Sequence, residues 1–171
     1  MVRDTEQADF ADYAAARWTT LVRAAMLLGC PLHDAEDLVQ TTLEKAFVSW
    51  RKVEQAQHRD AYVSAMLLNT MRASRRRRWW RERPTESLPE STAPDSETDL
   101  AARDAVERAL GSLTKEQREV VVLRFHLQLS EAETARVLGI PPGTAKSRLS
   151  RALSTLSTSP HLSEHQGEHH G

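Results

Sequence analysis

The residues best suited to chemistry in this chain are cations. From Arg72 to Arg83 stand seven arginines against one glutamate, and the densest part reads Arg75-Arg76-Arg77-Arg78-Trp79-Trp80-Arg81. Each arginine that neutralises a phosphate releases condensed counterions, so such a run binds a polyanion tightly at low salt and loosely at high salt. An indole face beside it can stack on an unpaired base or on an arginine. Packing of Trp79 and Trp80 on their own helix is the equal alternative. For the run as a whole, self-repulsion without a partner favours nucleic acid.

A second cluster lies near the C-terminus. Thr144, Lys146, Ser147, Arg148, Ser150 and Arg151 fall on one side of an amphipathic stretch, with no acid between Pro141 and Leu156. Arginine and lysine donate to guanine edges or phosphates, and serine and threonine donate or accept. The N-terminal turn of a recognition helix enters the major groove first, which places Thr144, Lys146 and Ser147 nearest to bases. Arg148 and Arg151 serve bases or phosphates equally.

Other chemistries find little footing. There is no glycine-rich phosphate loop, no zinc-protease helix motif and no nucleophile paired with a base. His33 beside Asp34 and Glu36 reads as the start of a helix. His161, His165, His169 and His170 lack a folded setting for a metal, and the single Cys30 excludes an internal disulfide. The expectation is a non-enzymatic protein with no cofactor and no metal. No apolar run nears the roughly 18 residues of a membrane span, and the first residues lack a signal-peptide pattern, so a cytoplasmic protein without membrane insertion is expected.

Helices must position both clusters. At 171 residues, with few aromatics, glycines or prolines, the chain suits an all-α fold of two small helical domains. Phe10, Tyr13, Trp18, Leu21, Val22, Ala25 and Leu28 give a helix over 8–28, broken by Gly29-Cys30-Pro31. Ala35, Leu38, Val39, Thr42, Ala46, Phe47 and Trp50 stripe a second over 33–50. A third starts at Asp60 as N-cap, buries Tyr62, Val63, Met66 and Leu67, bends after Asn69 and carries the arginines. From Pro84 to Leu100 there are five acids and no bases, with no apolar period, so 84–97 is expected as a flexible acidic linker between domains 8–83 and 98–157. Leu100, Ala101, Val106, Ala109 and Leu110 mark the next helix. Thr114/Gln117 and Ser130/Glu133 have capping-box spacing. A short capped helix, Gly139-Ile140 and a longer helix from Pro141 through Leu149 and Leu153 to Leu156 form a helix-turn-helix. The tail, 158–171, is expected to be disordered. A helix-turn-helix alone serves a free-standing repressor or activator equally well; that reading predicts a dimer.

The order of these parts is similar to that of the extracytoplasmic-function (ECF) sigma factors of bacterial RNA polymerase, which keep sigma regions 2 and 4. The resemblance rests on Asp34-Ala35-Glu36-Asp37-Leu38-Val39-Gln40, on Leu113-Thr114-Lys115-Glu116-Gln117-Arg118-Glu119-Val120, and on the stretch Gly143 to Ala152. Ala61-Tyr62-Val63, Asn69-Thr70 and the arginines with Trp79-Trp80 look like the SigE-like actinobacterial subset. The resemblance implies a protein that binds core polymerase at the β′ clamp helices and the β flap, is a monomer when free, and is a candidate for an anti-sigma partner. It implies that Asp37, Gln40, Thr41 and Glu44 face the clamp helices; many relatives carry glutamate at the position of Thr41. It implies that Asn69 reads a flipped base of the −10 element while Arg72, Arg75, Arg76, Arg77 and Arg78 hold the backbone; capping a helix bend is the competing role for Asn69. The helix from Pro141 then reads the −35 element as duplex. The linker acids Glu86, Glu90, Asp95, Glu97 and Asp99 are placed to mimic RNA phosphates.

Overall fold

The structure, a computed structural model, describes residues 2–81 and 97–163, with side chains for 4–78 and 100–162. Among these residues there are helices and no strands, as the composition leads one to expect. Four helices form the N-terminal half: α1 (Val2–Leu27), α2 (Leu32–Val48), α3 (Trp50–Gln55) and α4 (Arg59–Arg81). The C-terminal half holds α5 (Glu97–Gly111), α6 (Lys115–Val121) with a π-helical turn at Val122–His126, α7 (Glu131–Leu138), α8 (Pro142–Ser157) and α9 (Pro160–Ser163). The linker acids Glu86, Glu90 and Asp95 lie outside the described residues, as do the side chains of Trp79 and Trp80. Glu97 opens α5.

The breaks between helices follow local chemistry. After α1, Gly29 takes φ 103°, a conformation that a side chain strains, and its N–H bonds to Met26 O at 2.9 Å. The box at Thr114 and Gln117 closes with both bonds at 3.2 Å, and that at Ser130 and Glu133 with bonds of 3.1 and 2.6 Å. These satisfy first-turn N–H groups that no helix can pair internally. Gly139, at φ 65°, ends α7 with Ile140 N–H on Ala135 O at 3.0 Å, a left-handed stop that turns the chain into α8.

Several local expectations change. α1 begins at Val2 rather than Ala8, its first turns held by Glu6 on Arg51 at 2.8 Å and Asp9 beside Arg59. The second helix stops at Val48, and Trp50 starts the separate α3. Asp60 lies within the first turn of α4 rather than before it; its carboxylate accepts from Tyr13 Oη at 2.9 Å and pairs with Arg17 at 3.3 Å. Burial, and then the nearby Asp60 carboxylate, push the Tyr13 phenol well above its ordinary range. α4 runs through Asn69 without a break in the helix. In the stretch expected to be disordered, Ser159 is buried and α9 forms one turn up to Ser163.

One apolar core joins the halves. Leu21, Leu28, Val39, Val63, Leu67 and Met71 from the N-terminal side form a single cluster with Val120, Leu123, Leu127 and Leu138 from the C-terminal side. Leu123 is wholly buried at its centre, where truncating a leucine to alanine costs about 2–5 kcal/mol. A second, smaller cluster of Leu110, Leu113, Val121 and Ala152 seats α8 on α5 and α6. Rings brace the other end: Phe10 lies 4.9 Å from Phe47 and 5.2 Å from Trp50, and the Arg59 guanidinium stacks over Trp50 at 5.1 Å. Contrary to the stripe pattern, Phe47 and Tyr62 keep exposed surface, as do Leu100, Val106 and Leu153.

Candidate nucleic-acid interface

The polar face of α8 is built from its apolar one. Ala145 and Ala152 are buried, and Leu149 packs into both clusters, so that the helix lies close on α6 and α7. That leaves Lys146, Ser147, Ser150 and Arg151 exposed, with Thr144 and Arg148 half-buried at the margin. Ser147 Oγ donates to Thr144 O at 3.1 Å, which leaves the serine oxygen able to accept. Among the described residues none of Lys146, Arg148 and Arg151 is held in an ion pair. The six residues singled out from the sequence therefore come together on one surface with three cations and no carboxylate.

On α4, Leu67, Leu68, Thr70 and Met71 are buried and Asn69 stands exposed between them. Lys45 Nζ donates to Thr70 Oγ1 at 3.2 Å, fixing the α2–α4 contact next to Asn69; nothing in the sequence singled out that pair. The arginines divide. Arg76 and Arg77 point to solvent. Arg75 Nη2 donates to Leu28 O at 2.8 Å, at the carbonyl end of α1, and Arg72 pairs with Glu119 of α6 at 3.1 Å. Arg78 pairs with Asp34 at 2.6 Å. Arg72, Arg75 and Arg76 line one wall of a cleft of about 390 Å³ whose other wall is Lys115.

Asp37, Gln40, Thr41 and Glu44 recur along α2 at three- and four-residue steps, opposite the buried Leu38, Val39 and Leu43. Asp37, Gln40 and Glu44 are exposed, Thr41 is half-buried, and Gln40 Nε2 donates to Glu44 Oε1 at 3.2 Å. A shallow depression joins Asp37 and Thr41 to Ser74, Arg77 and Arg78. The acidic stripe of α2 thus runs straight into the basic stripe of α4. Among the described residues no group of three or more metal-ligating side chains converges, and no helix is long and apolar enough to cross a membrane.

Known proteins carry the same parts in the same order. Residues 13–81 match the Sigma-70 region 2 family, and residues 103–156 match the Sigma-70, region 4 family. The chain is 40% identical to the RNA polymerase sigma-E factor of Streptomyces coelicolor over 156 residues, which span 88% of this chain and 85% of that protein. It is 31% identical to the ECF RNA polymerase sigma factor SigL of Mycobacterium tuberculosis, over 85% of this chain and 82% of that one. The chain belongs to the ECF sigma factors of bacterial RNA polymerase. Among solved structures, the sigma factor RpoE from Bartonella quintana, in complex with the anti-sigma factor NepR, superposes with a TM-score of 0.73 at 30% identity, covering 86% of this chain and 94% of that one. The chain CnrH, in complex with the cytosolic domain of CnrY, superposes with a TM-score of 0.68 at 26% identity, covering 88% and 86%. As a sigma factor the chain directs promoter recognition and the start of transcription by core RNA polymerase.

Proposed function

We propose that this sigma factor divides its work among three faces. The stripe Asp37, Gln40, Thr41 and Glu44 on α2 docks on the β′ clamp helices of core polymerase. Asn69 and the arginines from Arg72 to Arg78 take the −10 element as it opens. Thr144, Lys146, Ser147, Arg148, Ser150 and Arg151 read the −35 element as duplex, with the C-terminal half near the β flap. The domains then correspond to 8–83 and 98–157, joined by the linker 84–97.

The observation that carries this reading is the separation of charge on one continuous surface. The acid-bearing stripe on α2 suits a basic protein partner, and the basic stripe on α4 beside it suits nucleic acid, so the protein joins the two. Neither stripe can do covalent chemistry. The work is differential binding: DNA with a base flipped out is held more tightly than closed duplex, which offsets the lost stacking. An amide at Asn69 offers a donor and an acceptor to a base edge. The linker acids stay assigned as mimics of RNA phosphates. With polymerase as partner the site of action is the cytoplasm, and an anti-sigma factor belongs among the partners, as RpoE has NepR. A free-standing repressor or activator explains the α8 face but leaves the α2 stripe idle.

The α2 assignment is tested by Asp37→Ala combined with Glu44→Ala, both exposed positions. The expected result is a loss of core polymerase binding of at least about tenfold in a titration, with the helix content unchanged. Full core affinity in the double variant contradicts the docking face.

A further inference from the structure

Arg72, Arg75 and Arg76 of α4 converge with Lys115 and Arg118 of α6 on one seam. The first three face Lys115 across the cleft of about 390 Å³, and a second hollow of about 310 Å³ adjoins it. The two hollows share Arg75 and Lys115, and the second adds Gly29, Arg118 and Glu119. Volumes of this order suit a small molecule. Among the described residues Glu119 is the only carboxylate lining either hollow, and Arg72 already pairs with it at 3.1 Å. Arg76 and Lys115 hold no ion pair among the described residues. With a net charge of −1, the chain as a whole gives no reason for cations to gather here.

The cations are aimed, not merely near. A Cβ on Gly29 would lie 3.7 Å from Arg75 Nη2 and 3.8 Å from Arg118 Nη1, so both guanidinium groups close on a point that the glycine leaves open. Burial pulls Arg118 below its ordinary pKa; Glu107 opposes this, and the charge of Arg75 adds to it. An anion at that point relieves the repulsion between the two arginines. The arginines are also anchored. Arg72 commits one nitrogen to Glu119, Arg75 one to Leu28 O at 2.8 Å, and Arg118 its Nε to Leu27 O. Each keeps further N–H donors on a guanidinium already held in place, so a ligand loses less to side-chain ordering on binding.

We propose that the seam between α4 and α6 is a binding site for a compact polyphosphate, whose linked phosphate groups reach from Arg72, Arg75 and Arg76 on one wall to Lys115 and Arg118 on the other. Arginine forks pair with phosphate oxygens and the lysine adds a point charge. A single phosphate meets one wall only. An extended nucleic-acid strand spreads its phosphates along the outer face at Arg76 and Arg77 and does not gather several of them beside Gly29. Lys115 and Arg118 have no part in the DNA faces proposed above. The shared chemistry is a chain of two or three phosphates, carried by a free inorganic polyphosphate or by a nucleoside polyphosphate.

The test is isothermal titration calorimetry of the full chain with sodium tripolyphosphate, ATP and inorganic phosphate, without divalent metal. Two variants accompany it. Lys115→Glu reverses an exposed charge in the first turn of α6, where an acid suits the helix. Lys52→Glu makes the same change of net charge at an exposed position on α3, away from the seam. The expected result is saturable binding of one tripolyphosphate per chain, at least about tenfold tighter than inorganic phosphate. Lys115→Glu is expected to weaken it by about tenfold or more, and Lys52→Glu by no more than about twofold. Melting should rise by about 5–10 °C at a hundredfold excess of tripolyphosphate over its Kd. ATP bound about tenfold more tightly than tripolyphosphate assigns the site to a nucleotide, and equal affinities assign it to the phosphate chain alone. No saturable binding, or equal losses in the two variants, overturns the proposal.

Discussion

Arg148 and Arg151 leave different signatures according to what they touch. If either grips a base edge, alanine there costs about 1–3 kcal/mol and relaxes selectivity at one position of the −35 element. If it grips a phosphate, alanine weakens binding evenly across sequences and lowers the salt slope by about one. Arg151, exposed at the outer edge of α8, is expected to show the phosphate pattern, and the half-buried Arg148 the base pattern. Equilibrium binding of holoenzyme to a panel of −35 substitutions at two salt concentrations separates them. The role proposed for Asn69 belongs to a different step. Asn69→Ala is expected to leave the closed complex nearly intact while reducing permanganate-reactive thymines in the −10 region about tenfold. Equal losses at both steps contradict its role in opening.

At the scale of the element, the capping boxes decide the geometry of the helix-turn-helix, and they were legible because they are local. Ser130 and Glu133 stand three residues apart, and no distant residue is needed to make the motif. The Glu133 carboxyl is held below its ordinary value, first by the Ser130 N–H; burial opposes this as the next effect in size, and the Ser130 hydroxyl and the charges of His58 and Arg136 add smaller depressions. A depressed carboxyl pKa contributes stability that is present above the unfolded value, about 4.3, and is lost as pH falls through the folded value. Glu133→Gln keeps a side chain able to close the box but removes that proton linkage. Thermal unfolding between pH 3 and pH 6 is therefore expected to show a smaller acid loss for the variant than for wild type; parallel curves contradict the linkage. The apolar stripes of α2 and α8 follow from period for the same reason, whereas Asp37, Gln40, Thr41 and Glu44 were singled out only by the family resemblance. What escaped was decided by packing at a distance. Arg72 and Glu119 are 47 residues apart with no shared period, and so are Tyr13 and Asp60. Tyr62 and Phe47 fit a buried stripe on their own helices, yet both stay partly exposed once the helices are packed. The π-helical turn at Val122–His126, followed by Gln128 at φ 56°, had no signal in the residue types.

The whole molecule carries nearly balanced charge, −1 in all, and works by its distribution. In the proposed division of work, acids on α2 meet protein and cations on α4 and α8 meet DNA, while the two halves share one apolar core. All-helical architecture and the order of the parts could be read from composition and punctuation. The docking of the halves could not, because it depends on apolar residues far apart in the chain, such as Met71 and Leu123, meeting in one core.

The most direct test of the account is in vitro transcription with purified core polymerase on a genomic fragment library, with and without this protein. The account predicts discrete new start sites that share two spaced upstream elements and that disappear when the α8 cations Lys146, Arg148 and Arg151 are replaced together. Starts unchanged from core polymerase alone, with duplex DNA bound by the protein in the absence of polymerase, would contradict it.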